Sequence, residues 1–229
     1  MRRTKQIVLT SMIDIITINK NKKDGLGQTI KSVVNQTFFD KVNYIVIDGG
    51  STDGSKEIIE QYKDKLFYYV SELDNGIYNA MNKGIRASVS DYLLFLNSGD
   101  YLSENNVLEK VFPYLDGTDF IYGNEWKVNE KSKNYSPYEA KYPDKLDESF
   151  FRRTSLPHQS TFIKRELLEN GYDESFKIIS DWKLFIEAFR NGRTYKHMPF
   201  IVSVYDCSGY SYQNLNLMQK EKNDYYAHA

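Results

Sequence analysis

The segment Val42-Asn-Tyr-Ile-Val-Ile-Asp48-Gly-Gly-Ser-Thr-Asp-Gly-Ser55 runs from an apolar, β-branched stretch into a polar, glycine-rich turn. An apolar run of this kind suits a strand covered on both faces. Behind the turn, Ile58, Ile59 and Tyr62 fall on one side at helical spacing. The same succession extends both ways. Upstream, residues 13–18 read as a strand, and Leu26, Ile30, Val33 and Val34 as one face of a helix. Downstream, 66–70 and 91–96 read as strands. Helices follow them at Ile77, Met81, Gly84 and Ile85 and over 107–115. Four strand–helix units in series predict an α/β fold: a mostly parallel sheet, helices on both faces, right-handed crossovers.

The second half is less regular. Residues 120–126, 160–163 and 200–205 read as strands, and 180–189 as a helix carrying Trp182, Phe185 and Phe189. A further helix is expected to begin near Lys164. Residues 129–149, polar and holding Pro137 and Pro143, read as a long loop or insertion. No repeat or linker-like shift divides the chain, so residues 12–229 read as one domain. Residues 1–11 read as an N-terminal extension, with a first strand through 7–9 as the alternative. Residues 225–229 read as mid-helix with no stop signal.

Composition excludes several classes. The 30 Lys+Arg nearly balance 31 Asp+Glu, so the broad basic field of a nucleic-acid binder is absent. A single cysteine, Cys207, rules out a disulfide framework and fits a reducing, cytoplasmic setting. Apolar runs such as 92–96 fall far short of the ~20 residues a spanning helix needs. The oligomeric state has no signature here.

Ligands of parallel sheets gather at the carboxyl ends of the strands. The polar, Gly-rich loops 19–27, 48–55, 71–76 and 97–100 all sit there. Asp48, with Ser51 in the same loop, suits a neutral donor such as a ribose hydroxyl or a base N–H. Asp53 or Ser55 capping the next helix explains part of the loop without a ligand. Asn97-Ser-Gly-Asp100 ends a buried strand as a hard-cation ligand would, or as a plain turn. Neither Gly-x-Gly-x-x-Gly after the first strand nor a phosphate-loop motif occurs.

Read together, Tyr44–Ser55, Ser71-Glu-Leu-Asp-Asn-Gly-Ile-Tyr-Asn-Ala-Met-Asn-Lys-Gly-Ile85 and Phe95-Leu-Asn-Ser-Gly-Asp100 resemble the family-2 glycosyltransferases of the GT-A fold. Thr29-Ile-Lys-Ser-Val-Val-Asn-Gln-Thr37, Pro157-His-Gln-Ser-Thr-Phe-Ile163 and Tyr172–Phe185 fit the same family. The branch resembled is bacterial and serves capsular, O-antigen and colanic-acid-type polysaccharides. The resemblance runs from about Met12 to Ser211.

It implies a Rossmann-like three-layer α/β/α fold with a mixed, mostly parallel sheet. Residues 12–115 would form the nucleotide-sugar half and 116–229 the acceptor half. The donor would be a nucleotide-diphosphosugar, with a UDP-sugar expected, and the cofactor a divalent cation, Mn2+ or Mg2+. The acceptor would be a glycan or a polyprenyl-diphosphate-linked sugar, which adds peripheral association with the cytoplasmic face of the inner membrane. Thr17 and Asn19 would lie near the nucleotide, Asp48 and Ser51 at the base or ribose, and Asp74 and Asn82 in the uridine-like pocket. Asn97, Ser98 and Asp100 stand where the family has its Asp-x-Asp motif, with Asp100 as the metal ligand. Asn97 replaces an acid there, Gly99 removes the middle carboxylate, and Asn75 stands where Lys is common. Asp181 matches the catalytic base that inversion requires. A carboxylate in a helix first turn has a lowered pKa, so partial burial is expected to offset that loss of basicity. A plain first-turn acid is the alternative. His158 and Gln159 would meet the diphosphate or the acceptor, or His158 would simply be packed at a strand start.

Two other classes stay open on sequence alone: a sugar-nucleotide-binding protein without turnover, and a nicotinamide-linked oxidoreductase, which the missing glycine fingerprint opposes.

Overall fold

The computed structural model describes residues 12–129 and 135–228. The 1–11 extension, with its alternative strand, lies outside them. Strand β1 (Ile13–Asn19) leads through a short loop to helix α1 (Lys23–Val34). Strand β2 (Val42–Asp48) and helix α2 (Ser55–Tyr62) follow, then β3 (Tyr68–Ser71), α3 (Ile77–Ala87) and β4 (Tyr92–Phe95). The alternation read from the sequence is therefore the alternation formed.

Beyond β4 come β5 (Tyr101–Leu102), α4 (Val107–Val111), β6 (Phe120–Val128), β7 (Tyr138–Ala140) and α5 (Glu148–Arg153). Then follow β8 (Thr161–Lys164), α6 (Ser180–Arg190), β9 (Tyr195–Asp206), α7 (Tyr210–Gln213) and α8 (Leu215–His228). Three local expectations differ. The helix expected over 107–115 stops at Val111, and a 3-10 turn, Phe112–Tyr114, replaces its end because Pro113 has no N–H to donate. The helix expected near Lys164 is a 3-10 turn, Arg165–Leu168. Within 129–149, three residues form β7 and Asp147 caps α5, its carboxylate accepting the Phe150 N–H at 2.6 Å.

Among the described residues nine strands form one mixed sheet, ordered β3-β2-β1-β4-β8-β6-β9-β5, with β7 on β6. Strands β3, β2, β1 and β4 are mutually parallel, as are β6 and β9. Strand β8 is antiparallel to both β4 and β6.

Alternating side chains fill two layers. Ile16, Ile45, Ile47 and Phe95 meet Met81 of α3 and Trp182 and Phe185 of α6. Ile15, Tyr44, Val46 and Leu94 meet Leu26, Ile30 and Val33 of α1 and Leu108 of α4. Burying each such side chain is worth about 1.5–3 kcal/mol, so the strands near β1, covered on both faces, anchor the molecule. Helix α3 reaches β1 closely because of Gly84, where a Cβ would stand 2.5 Å from Ile16 Cγ2. Tyr225 and Tyr226 pack edge-on against Trp182, so these two aromatics are packing groups. Among the described residues no helix is long and apolar enough to cross a membrane.

Candidate active site

Strand direction assembles the site. The carboxyl ends of β1, β2, β3, β4, β6 and β9 share one sheet edge, and β8, running the other way, brings its amino end there. Asn19, Asp48, the 97–100 loop, His158 and Asp206 are therefore neighbours although far apart in sequence. Between them lies a cleft of about 530 Å³, walled by Asn19, Lys22, Asp74, Asn97, Ser98, Asp100, His158, Asp181 and Asp206, with Tyr78 and Tyr205 adding aromatic surface.

At one end stands Asp48, which accepts Asn19 Nδ2 at 2.8 Å, Ser51 N–H at 3.0 Å, and the Ser51 and Ser71 hydroxyls at 2.5 Å each. Burial pushes its carboxyl up, but these donors outweigh it and hold the pKa below the ordinary value. Asp48 is thus consumed by internal donors. The acceptor left over is Asn19 Oδ1, buried and without a partner. The cap position of α2 is Gly54, not Asp53 or Ser55. One residue earlier, the Asp53 carboxylate accepts Ser55 N–H at 3.1 Å and Lys23 N–H at 2.8 Å, tying the starts of α1 and α2 together.

Besides Asp48 and Ser51, three residues expected at the ligand stand behind the wall. The Thr17 hydroxyl donates to Leu96 O at 2.7 Å and pairs with Tyr44 OH. Asn82 donates to Tyr172 O and accepts Tyr172 N–H, clamping the segment before α6 to α3. Gln159 is buried against Glu125. Their polar groups are satisfied inside the protein, so they shape the wall. Asp74 does line the cleft, with Lys83 Nζ at 2.5 Å.

At the other end a side-chain relay crosses the cleft. His158 Nε2 meets Asn97 Nδ2 at 3.2 Å and its Nδ1 meets Asp181 Oδ2 at 3.0 Å. Tyr78 OH donates to Asp181 Oδ1 at 2.8 Å, with Ile178 O as a competing acceptor at 2.5 Å. Asp181 is in the first turn of α6, where the sequence put it. Burial pushes its carboxyl up, but His158, Tyr78 and the Trp182 N–H outweigh it and the net direction is down. The expected offset by burial is therefore present and loses. Burial likewise opposes the His158 imidazolium, yet Asp181, then Asp100 and Glu125, raise its pKa above the ordinary value.

Asp100 is different. Burial dominates and pushes it up to about 7, opposed by a hydrogen bond from Asp206 N–H at 3.0 Å. Lys22, Tyr78 and Asp206 are cleft residues that the sequence reading did not single out. Asp206 carried the signal that found Asp48 and Asp100, a carboxylate at a strand end, but the late strand was expected to stop at 205. Lys22 carried none, since lysines 20, 22 and 23 look like a solvated turn.

The profile of glycosyl transferase family 2 matches residues 14–175. This chain belongs to glycosyl transferase family 2. An uncharacterized glycosyltransferase of Mycobacterium tuberculosis is 31% identical over 179 residues, 77% of this chain and 68% of that one. A PGL/p-HBAD biosynthesis glycosyltransferase of the same species is 28% identical over 204 residues, 85% and 77% of the two chains. Among solved structures, residues 1–349 of S. aureus TarS in complex with UDP-GlcNAc superpose with TM-score 0.69 at 19% identity, over 85% of this chain. A mannosyltransferase of Pyrobaculum calidifontis in complex with GDP-Man and Mn2+ gives TM-score 0.65 at 17% identity, over 91% of this chain. The family 2 chain spans 58% and 60% of those two solved chains. The likeness establishes the GT-A fold, and the family makes the protein a transferase.

Enzymes of this fold commonly use a divalent cation. Among the described residues no three His, Cys, Asp or Glu side chains converge as a metal cage. Asp100 nonetheless fits a hard cation: a buried carboxylate pushed up to about 7 is one that a cation would stabilise. Asn97 Oδ1, buried and without a partner, adds a neutral oxygen in the same loop.

Proposed function

We propose that this family 2 glycosyltransferase inverts the anomeric centre of a nucleotide-diphosphosugar, with a UDP-sugar as the favoured donor. The sugar passes to a hydroxyl of a glycan or polyprenyl-diphosphate-linked acceptor in surface polysaccharide or glycolipid assembly. The observation that carries this reading is convergence: Asp100 and Asp181 line the same cleft, and Asp48 stands behind it, bonded to Asn19 of its wall. The UDP-GlcNAc held by the TarS structure supports the donor class.

In this reading residues 12–115 hold the donor and 116–229 the acceptor, within one domain. Asn19 Oδ1 takes a base N–H or a ribose hydroxyl, and Asp48 with Ser51 holds that amide in place. Asp74 and Ser98 complete the nucleotide side. The acceptor hydroxyl gives its proton to Asp181 as its oxygen bonds the anomeric carbon. The bond from that carbon to the diphosphate oxygen breaks in the same step, and its electron pair leaves with the nucleoside diphosphate. His158 and Tyr78 fix the Asp181 carboxylate at both oxygens before the acceptor arrives. Asp100 would hold a divalent cation, which supplies Lewis-acid stabilisation of charge on the departing diphosphate. A polyprenyl-linked acceptor would bring the enzyme to the cytoplasmic membrane face as a peripheral protein.

The test is Asp181→Asn, which keeps size and packing and removes the base. Transfer should fall about 10²–10⁴-fold while UDP affinity, measured by calorimetry, stays within a factor of two or so of the parent. Retained transfer refutes the assignment. Bound donor without transfer by the parent, across a panel of acceptors, would favour a binding protein.

A further inference from the structure

The gap left by Gly99 is filled by another side chain. A Cβ at residue 99 would stand 2.2 Å from Lys22 Nζ and 2.7 Å from Lys22 Cε. The backbone there has φ +98°, which favours glycine. A Cβ on Gly25 would meet Gly99 Cα at 3.1 Å and Lys22 Cε at 3.0 Å. Two glycines therefore bring the first turn of α1 against the loop after β4 and open a channel for one lysine. The Lys22 ammonium lies beside Asp100 where the middle side chain of an Asp-x-Asp motif would project.

Its partner is Asp206 Oδ2 at 2.9 Å. That carboxylate does not depend on the lysine, because Ser208 supplies its N–H at 2.9 Å and its hydroxyl at 2.6 Å. An ammonium has three donors, and the side chain is 35% exposed in the cleft wall. The pair can thus open without leaving Asp206 unbonded, and the ammonium keeps donors to offer. The same wall carries Asp74, Asp100, Asp181 and Asp206 with Lys20, Lys177 and His158 among them, so its charge is mixed, and Lys22 is the lysine whose ammonium reaches the 97–100 loop.

We propose that Lys22 is the resident cation of the donor's diphosphate. On binding, its ammonium exchanges Asp206 for a diphosphate oxygen, so donor affinity is held in part by the protein and not by a divalent cation alone. This rests on the donor reading of the cleft given above. A lysine is a compact point charge suited to such a contact.

Calorimetric titration of UDP, UMP and uridine in EDTA, then with Mn2+, tests it in the parent, Lys22→Gln, Lys22→Arg and Asp206→Asn. The parent should bind UDP in EDTA. Lys22→Gln should weaken UDP about 10- to 100-fold in EDTA, the range for a hydrogen bond to a charged group, and leave uridine unchanged. Lys22→Arg should recover part of the loss, and Asp206→Asn, which frees the ammonium, should hold or tighten UDP. Equal UDP binding by the parent and Lys22→Gln overturns the role of the lysine alone. Equal weakening by Asp206→Asn and Lys22→Gln does so too, since the ion pair would then act only as a strut. A parent that binds no UDP even with Mn2+ overturns the donor reading and this proposal together.

Discussion

One imidazole joins a loop and a helix of the cleft: His158 touches Asn97 after β4 and Asp181 in α6. Its pKa is raised and that of Asp181 is lowered, and each shift has a sign in stability. A raised histidine stabilises fully below its unfolded value and loses that contribution as pH rises through its folded value. A lowered aspartate contributes above its unfolded value and loses that as pH falls through its folded one. The pair therefore stabilises most between about pH 4 and 6.5, the two unfolded values. In that window His158→Gln should cost about 2 kcal/mol, the scale of a charge-assisted hydrogen bond. The difference from the parent, taken from urea unfolding, should shrink above neutrality. A difference that stays constant from pH 5 to 9 would refute the pairing. At this scale Asp48 and Asp100 were legible because each falls at or after the end of an apolar strand among turn-forming residues, whereas Asp181 was legible through the family resemblance. Lys22 and Tyr78 were not, because what selects them is the space beside Gly99 and the position of Asp181 across the sheet, neither of which is local.

Elements were legible wherever apolar spacing was long enough to read. Strand β2 is apolar, bar Asn43, up to its closing Asp48, and it formed at 42–48. Strands β5 and β7, of two and three residues, are too short to show a period and exist because a neighbouring strand offers them a ladder. Helix α3 shows what a pattern does and does not say. Ile77, Met81 and Ile85 mark its apolar face, but Gly84 at the same face reads as a weak helix former. Its value lies in contact with Ile16. Gly84→Ala should gain about 1 kcal/mol of helix propensity yet lose about 1–3 kcal/mol to overpacking. The net expectation is a lower urea midpoint at unchanged slope, and a higher midpoint would show that Ile16 has room to move.

Across the whole molecule, direction of travel matters more than any one contact. The parallel strands were foreseeable from alternation, whereas the reversal of β8 was not, and that reversal delivers His158 to the carboxyl edge of its neighbours. A ligand that binds this edge and not the unfolded chain adds stability by mass action. At one hundred times its dissociation constant, UDP should contribute about 2.7 kcal/mol, or about 5–10 °C in midpoint for a chain of this length. Nucleotide sugars screened by thermal shift, with and without Mn2+, would rank the donors. No shift with any of them would refute the cleft as a nucleotide site.

Five residues, six steps from Cα to Cα, carry the chain from Phe95, at the end of β4, to Tyr101, at the start of β5. Their reach is about 20 Å, yet β5 lies beyond β8, β6 and β9 in the sheet. Four strand spacings of about 4.8 Å use up nearly all of that reach. Asp206, at the tip of the twelve-residue strand β9, meets Lys22 at 2.9 Å and gives its N–H to Asp100 at 3.0 Å, so the sheet curls that tip over toward the first loop. A fragment ending at residue 115 would still carry Asp48 and Asp100, but a nucleotide laid on it would rest in an open trough, bare on the flank that the curled strand otherwise shuts.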